Sequence, residues 1–252
     1  YVMPQNRNSA SRLYAFLSSI PNYQDSTQIV SAWANTFEIN ENDTSRQARV
    51  VSERLAALSR EIDLVREGMK HANFSPHLYS NALAAFDTAF SPMYLSSTWN
   101  HIRLQLKVEH MLALQFCGEI LQDEEDEILQ ADLDEISSLL TELENLAANA
   151  DQVPDRLRKL IENQVAQIRS AIASYKIAGA KALREAVRSS YGELVEAKDI
   201  ITEHKNSSEV SKLAEVWRKV NTVADIALKI DGAVQLGQKA WLFIESVIKG
   251  GV

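Results

Sequence analysis

Between Val108 and Asp155 the 252-residue chain carries 14 carboxylates and no lysine or arginine, and from Arg156 to Arg188 it carries eight basic residues against two acids, Glu162 and Glu185. Both stretches place apolar residues at steps of three and four, the spacing that lines one face of a helix. The acidic stretch has a seam of Leu129, Leu133, Ile136, Leu140, Leu143, Ala147 and Ala150, and the basic stretch one of Ile161, Val165, Ile168, Ile172, Tyr175, Gly179, Ala182 and Ala186. A short connector over 149–153 and a proline at position 154 predict two antiparallel neighbours of opposite charge. With the turn centred near Asp151, Arg169 would meet Asp132 and Glu135, and Lys176 would meet Asp126 and Glu127. Exposed ion pairs are worth only about 0–1 kcal/mol each, so such pairing selects partner and register more than it adds stability.

Eight glycines and five prolines leave little material for the turns of a sheet protein. The expected fold class is all-α, an elongated helical bundle built around a long antiparallel coiled-coil-like hairpin. Helices are expected from Ser9 to Ile20, from Thr27 to Glu38, and from the loop and cap at Asn40–Thr44 to His71, where Val51, Leu55, Leu58, Ile62, Val65 and Met69 form another seam. Ser75-Pro76 and Ser91-Pro92 are helix-start signals. They bracket a helix over 76–90 and open a second that is expected to run through Met111–Leu121 without a break to Ala150. Continued unbroken, Pro154–Lys205 would be a rod of about 75 Å, unless it bends near Gly192. The organisation read from these joints is an N-terminal short-helix region over 1–91, the hairpin over 92–205 and C-terminal amphipathic helices over 206–252, expected to form one continuous domain.

A net charge of −8 argues against nucleic acid as partner, since phosphate binding relies on clustered lysine and arginine. The lone cysteine, Cys117, forms no intramolecular disulfide and sits among Leu112, Leu114, Phe116 and Ile120, where a buried structural thiol is expected. The first residues show no signal-peptide pattern and no window reaches about 18 consecutive apolar residues, so the expected location is cytoplasmic. None of the five histidines has a glutamate three residues before it, and Glu67 with His71 reads as a surface pair. The run Asp123–Glu127 lacks the spacing and glycine of a calcium loop, and reads as a solvated helix face or an anionic first turn. Phosphate-loop, dinucleotide, nucleophile-elbow and Cys-x-x-Cys motifs are absent, so neither metal nor cofactor nor catalytic residue is expected.

What remains is interaction. Trp33, Trp99, Trp217 and Trp241 lie on apolar helix faces, where core packing is the first expectation. The segment Ala240-Trp241-Leu242-Phe243-Ile244 is bulky on more than one side and needs cover beyond one flank. Trp241, Phe243, Ile244, Val247 and Trp217 are therefore the candidate interface residues. The chain reads as a non-enzymatic scaffold or interaction protein that binds a partner protein or its own copies through apolar helix faces. The alternative is a membrane-acting helical effector, pore-forming or lipid-surface binding, that uses the C-terminal segment; Lys229, Asp231, Lys239 and Glu245 argue against its crossing a bilayer alone.

Overall fold

The computed structural model describes residues 8–149, 153–227 and 242–246. Among them the regular structure is helical, with no strand and an isolated antiparallel bridge between Gln28 and Thr98. The chain divides into two compact units: residues up to Glu124 together with Lys176–Ala178, and Glu125–Tyr175 together with the residues from Gly179 onward.

The first unit contains α1 (Ser9–Ser18), α2 (Ile29–Thr36), α3 (Thr44–His71), α4 (Ser80–Ala89), α5 (Asn100–Arg103) and α6 (Val108–Ile120). Local chemistry starts the helices. Asn8 Oδ1 accepts the Ser11 N–H at 3.0 Å while Ser11 Oγ accepts the Asn8 N–H at 3.1 Å, a reciprocal cap for α1. Asp43 does the same one-sidedly for α3 through the Arg46 N–H at 2.8 Å. The α3 seam is fully buried at Val51, Leu55, Leu58, Ile62, Val65 and Met69. Pro76 and Pro92 open short 3-10 turns, Pro76–Leu78 and Pro92–Tyr94, so the helix expected over 76–90 begins as α-helix only at Ser80. Trp33 centres the core, stacked on Phe37 at 5.3 Å and edge-on to Phe90 and Trp99 at 6.2 and 5.5 Å. A buried ion group lies among the described residues of this unit: Arg12 is 2.7 Å from Glu61 and 3.5 Å from Glu124, and its Nε donates to the Ile177 carbonyl at 3.4 Å.

The expectation of one helix from Pro92 to Ala150 is corrected. After α6 the chain is non-helical until α7 (Gln130–Asn149), and Asp123–Glu127 lies in that connector rather than on a helix face or first turn. Five adjacent carboxylates repel one another at helical spacing, and one of them, Glu125, has its side chain buried instead.

The second unit contains α7, α8 (Asp155–Ala178, apart from its last turn), α9 (Ala180–Glu196), α10 (Lys198–Glu203) and α11 (Ser208–Ala227), with a helical stretch over 242–246. The expected unbroken rod is also corrected. The chain reverses at Gly179, whose φ of 63° and ψ of −154° form a pair essentially confined to glycine. Gly192, where a bend was expected, lies inside α9. The reversal sets α8 against α9: Asn163 and Gln164 donate to Glu193 at 2.7 and 2.6 Å, and Ser190 meets Gln167. α7 packs along α11, which also packs on α9.

The ion pairs follow this packing rather than symmetry about Asp151. Asp132 and Glu135 are met by Lys219 of α11 at 2.8 and 2.6 Å, and Glu142 by Lys212 at 2.8 Å. Arg169 instead reaches Glu144 at 2.5 Å, and Lys176 reaches Glu38 at 2.9 Å within the first unit. Leu129 precedes α7 and is 68% exposed, outside the seam expected for it, whereas Leu133, Ile136, Leu140 and Leu143 are buried.

Candidate functional site

The sequence of α6, Val-Glu-His-Met-Leu-Ala-Leu-Gln-Phe-Cys-Gly-Glu-Ile, is apolar on nearly every side. Such a helix is normally covered all round. Its inner side is: Leu114 and Cys117 have no exposed surface, and the helix packs on α1, α3 and α4. Gly118 permits a close approach to α1, because a Cβ there would stand 3.3 Å from the Ser11 backbone nitrogen. Asn8 fixes that approach by donating to the carbonyls of Gly118 and Leu121 at 3.0 and 3.1 Å, satisfying groups that the end of α6 would otherwise leave open.

The outer side is different. A repeat of 3.6 residues per turn puts Val108, Leu112, Gln115 and Glu119 on one face. Val108 is 74% exposed and Leu112 is 58% exposed. Beside them Phe116 carries Phe74 edge-on at 5.7 Å, and Phe74 is itself 40% exposed. The position of Phe74 follows from how α3 ends: Asn73 has φ of 58°, a left-handed conformation that asparagine tolerates better than most residues, and it turns the chain after the cap at Ala72.

The surface leads to an open groove of about 620 Å³ between the end of α3 and residues 119–124. Its apolar wall includes Phe74, Ile120 and Leu121, and its polar edge includes His71, Glu119 and Glu124. Gly68 makes room there, since a Cβ at this position would come within 2.7 Å of Leu121 Cδ2. Among the described residues no lysine or arginine lines the groove. Glu124 shares the buried Arg12 with Glu61.

A second groove, of about 440 Å³, lies in the other unit between α7 and α8 and includes Arg158 and Arg169. The protein already uses both: Arg158 donates to the Ala147 carbonyl at 2.6 Å, and Arg169 pairs with Glu144.

Among the described residues no group of three His, Cys, Asp or Glu side chains could hold a metal ion, and no helix is long and apolar enough to cross a membrane. His71 Nε2 is 3.3 Å from Glu67, and both side chains are exposed. Burial pushes the Cys117 thiol up to about 12, away from the thiolate form a nucleophile needs.

The residues singled out from sequence are dispersed. Trp217 has no exposed surface, and its indole N–H donates to Gln164 Oε1 at 3.0 Å inside the second unit. Ile244 is fully buried, and Phe243 is half-buried, edge-on to Tyr191 at 6.1 Å. Trp241 and Val247 lie outside the described residues. Val108, Leu112 and Phe74 were not singled out; the signal for them is a helix too apolar for its surroundings inside a stretch that lacks cations. Set beside models of known families, characterised proteins and solved structures, the chain matches none of them.

Proposed function

We propose that the protein is a non-enzymatic helical interaction protein that binds a protein partner through an apolar helix face. The observation supporting this is the outer side of α6, where Val108 and Leu112 stand exposed on a helix whose opposite side is core. Taking an aliphatic or aromatic side chain from full exposure to full burial is worth about 1.5–3 kcal/mol, a gain that these residues realise only when something covers them. Exposed apolar surface with a polar edge is the usual composition of an interaction site. The buried, protonated Cys117 supports the same side, because the one thiol of the chain is withheld from chemistry.

The test is a photo-crosslinking residue in place of Leu112, used in cells of the native host. A discrete crosslinked product, either a second protein or a dimer of this chain, is expected to disappear when Val108→Ser is added. Absence of any protein product, with the helical signal intact, would remove the reading.

A further inference from the structure

Apart from the α6 face, we infer that the protein pairs with a second copy of itself by exchanging α9 to α11, with α8 and α9 running on through Gly179 as one helix in the exchanged form. The joint between the two helices carries the inference. α8 ends at Ala178 and α9 begins at Ala180, so a single residue, Gly179, makes the whole reversal. Its neighbours are strong helix formers, Ala178 before it and Ala180-Lys181-Ala182-Leu183 after it, and none of them asks for a turn. The apolar register also runs straight through the joint: Ile161, Ile168, Tyr175 and Ala182 stand seven apart, and so do Val165, Ile172, Gly179 and Ala186. A hairpin has no need to keep one heptad count across its turn, whereas a continuous helix does.

The exchanged form re-makes what the closed form has. Trp217 bonds Gln164, Lys219 pairs with Asp132 and Lys212 pairs with Glu142, each linking the chain after Gly179 to α7 or α8 before it. These are contacts between packed helices, and they form as well with α7 and α8 of a second copy as with the chain's own. The difference lies at the hinge. In the closed form Gly179 holds a φ of 63° and a ψ of −154°, a pair essentially confined to glycine, and the Glu125 carboxylate caps the Ala180 N–H at 2.8 Å. In the continuous helix Gly179 takes ordinary helical angles, and the Ala180 N–H turns to the Lys176 carbonyl four residues back. Glu125 thus restrains a one-residue hinge whose sequence favours extension, and short hinges are where exchange between copies arises.

The test uses the full chain with Cys117→Ala and spin labels at Ala166→Cys and Ser189→Cys, two exposed positions. Ser189 donates to Gln167 at 3.3 Å between α9 and α8, so the labels are neighbours in the closed chain. In one continuous helix they stand about 35 Å apart, at about 1.5 Å per residue. The protein is unfolded in urea, refolded at high concentration and separated by gel filtration, with the labelled chain diluted into unlabelled copies so that dipolar distances report within one chain. A dimer is expected whose intrachain distance is about 35 Å, beside a monomer that keeps the short one. Gly179→Ala should lower the dimer dissociation constant at least about a hundredfold, because alanine is excluded from the reversed conformation and favoured in a helix, once in each copy. Val108→Ser should leave this dimer intact. A dimer that keeps the short intrachain distance, or no dimer in either the parent or Gly179→Ala, overturns the inference. If Gly179→Ala does not fold, the parent decides: a dimer at about 35 Å supports exchange, and its absence or a short distance overturns it. A dimer with the short distance that is lost in Val108→Ser belongs to the α6 face, which leaves the interaction reading standing while exchange falls.

Discussion

The Glu125 carboxylate accepts the Ala180 N–H at 2.8 Å, 55 residues along the chain, and so caps α9 at the point where Gly179 reverses the backbone. A side-chain oxygen at a helix start satisfies a donor that has no partner in its own helix, and its charge suits the positive end of the helix dipole. Gly179 adopts φ of 63° and ψ of −154°, and any Cβ there would overlap that carboxylate. Gly179→Ala is therefore expected to cost about 2 kcal/mol or more from backbone strain alone, with the overlap added. In a Glu125→Ala background the overlap is gone, so the same change should cost less there than in the parent. Urea unfolding of the four proteins gives the coupling directly, and strictly additive costs would mean that the carboxylate does not sit over the glycine.

The ion pairs of α7 make a second prediction. Lys219 donates to Asp132 and Glu135, and these hydrogen bonds raise its pKa above the ordinary 10.5. Lys212 is raised likewise by Glu142 and Glu215, while Glu142 is lowered, chiefly by Lys212. A raised lysine stabilises fully below its unfolded value and loses that contribution as pH rises through its folded one; a lowered glutamate does so above its unfolded value and loses it as pH falls. The α7–α11 pairs thus contribute across neutral pH and weaken at both ends. Lys219→Glu should destabilise by roughly 1 kcal/mol, and Asp132→Lys with Glu135→Lys should recover part of it, more at low salt. The same two changes should not rescue Arg169→Glu, whose partner is Glu144. Rescue of Arg169→Glu, rather than Lys219→Glu, in thermal melts would move the acidic face of α7 onto α8.

How much of this was legible in the sequence depends on how local the deciding interaction is. The limits of α3 and its buried seam follow from a 3.6-residue period and an aspartate cap within one stretch of chain, so they could be read directly. The break after α6 could not. Residues 121–129 join an apolar run to an acidic one without proline or glycine, and what takes Glu125 out of a helix is an N–H far away in sequence. Gly179 and Gly192 both sit in helical patterns, and only the tertiary demand for a positive φ separates them. For the candidate site, periodicity identifies α6 as apolar but is silent on which side remains uncovered; that depends on where α1 and α4 pack.

Trp217 distinguishes core from interface. Its indole N–H donates to Gln164 Oε1 at 3.0 Å, and Gln164 in turn donates to Glu193 at 2.6 Å, with Trp217 and Gln164 both fully buried. Gln164→Leu leaves the buried indole N–H without its acceptor and Glu193 Oε2 with only the longer bond from Gln167 at 3.4 Å, and should cost about 1–3 kcal/mol. Trp217→Ala should cost about 3–5 kcal/mol through the cavity it leaves. If Trp217→Ala instead leaves the urea midpoint unchanged and alters only association state in sedimentation, the ring belongs to an interface.

The last prediction concerns Arg12 and Glu61, whose side chains are 3% and 5% exposed and 2.7 Å apart. Removing two charges from water is costly, and their attraction repays the cost only while both are present. Arg12→Met should therefore cost about 3–5 kcal/mol, because it leaves Glu61 charged inside the first unit, takes the guanidinium from Glu124 and deprives the Ile177 carbonyl of its Nε donor. Adding Glu61→Leu removes the stranded carboxylate and should restore much of the loss, giving a double variant more stable than Arg12→Met alone. The interaction energy from the four midpoints should then be large and favourable for the native pair. A double variant no more stable than Arg12→Met would show that the cost lies in the lost bonds to Glu124 and Ile177 rather than in the charge of Glu61.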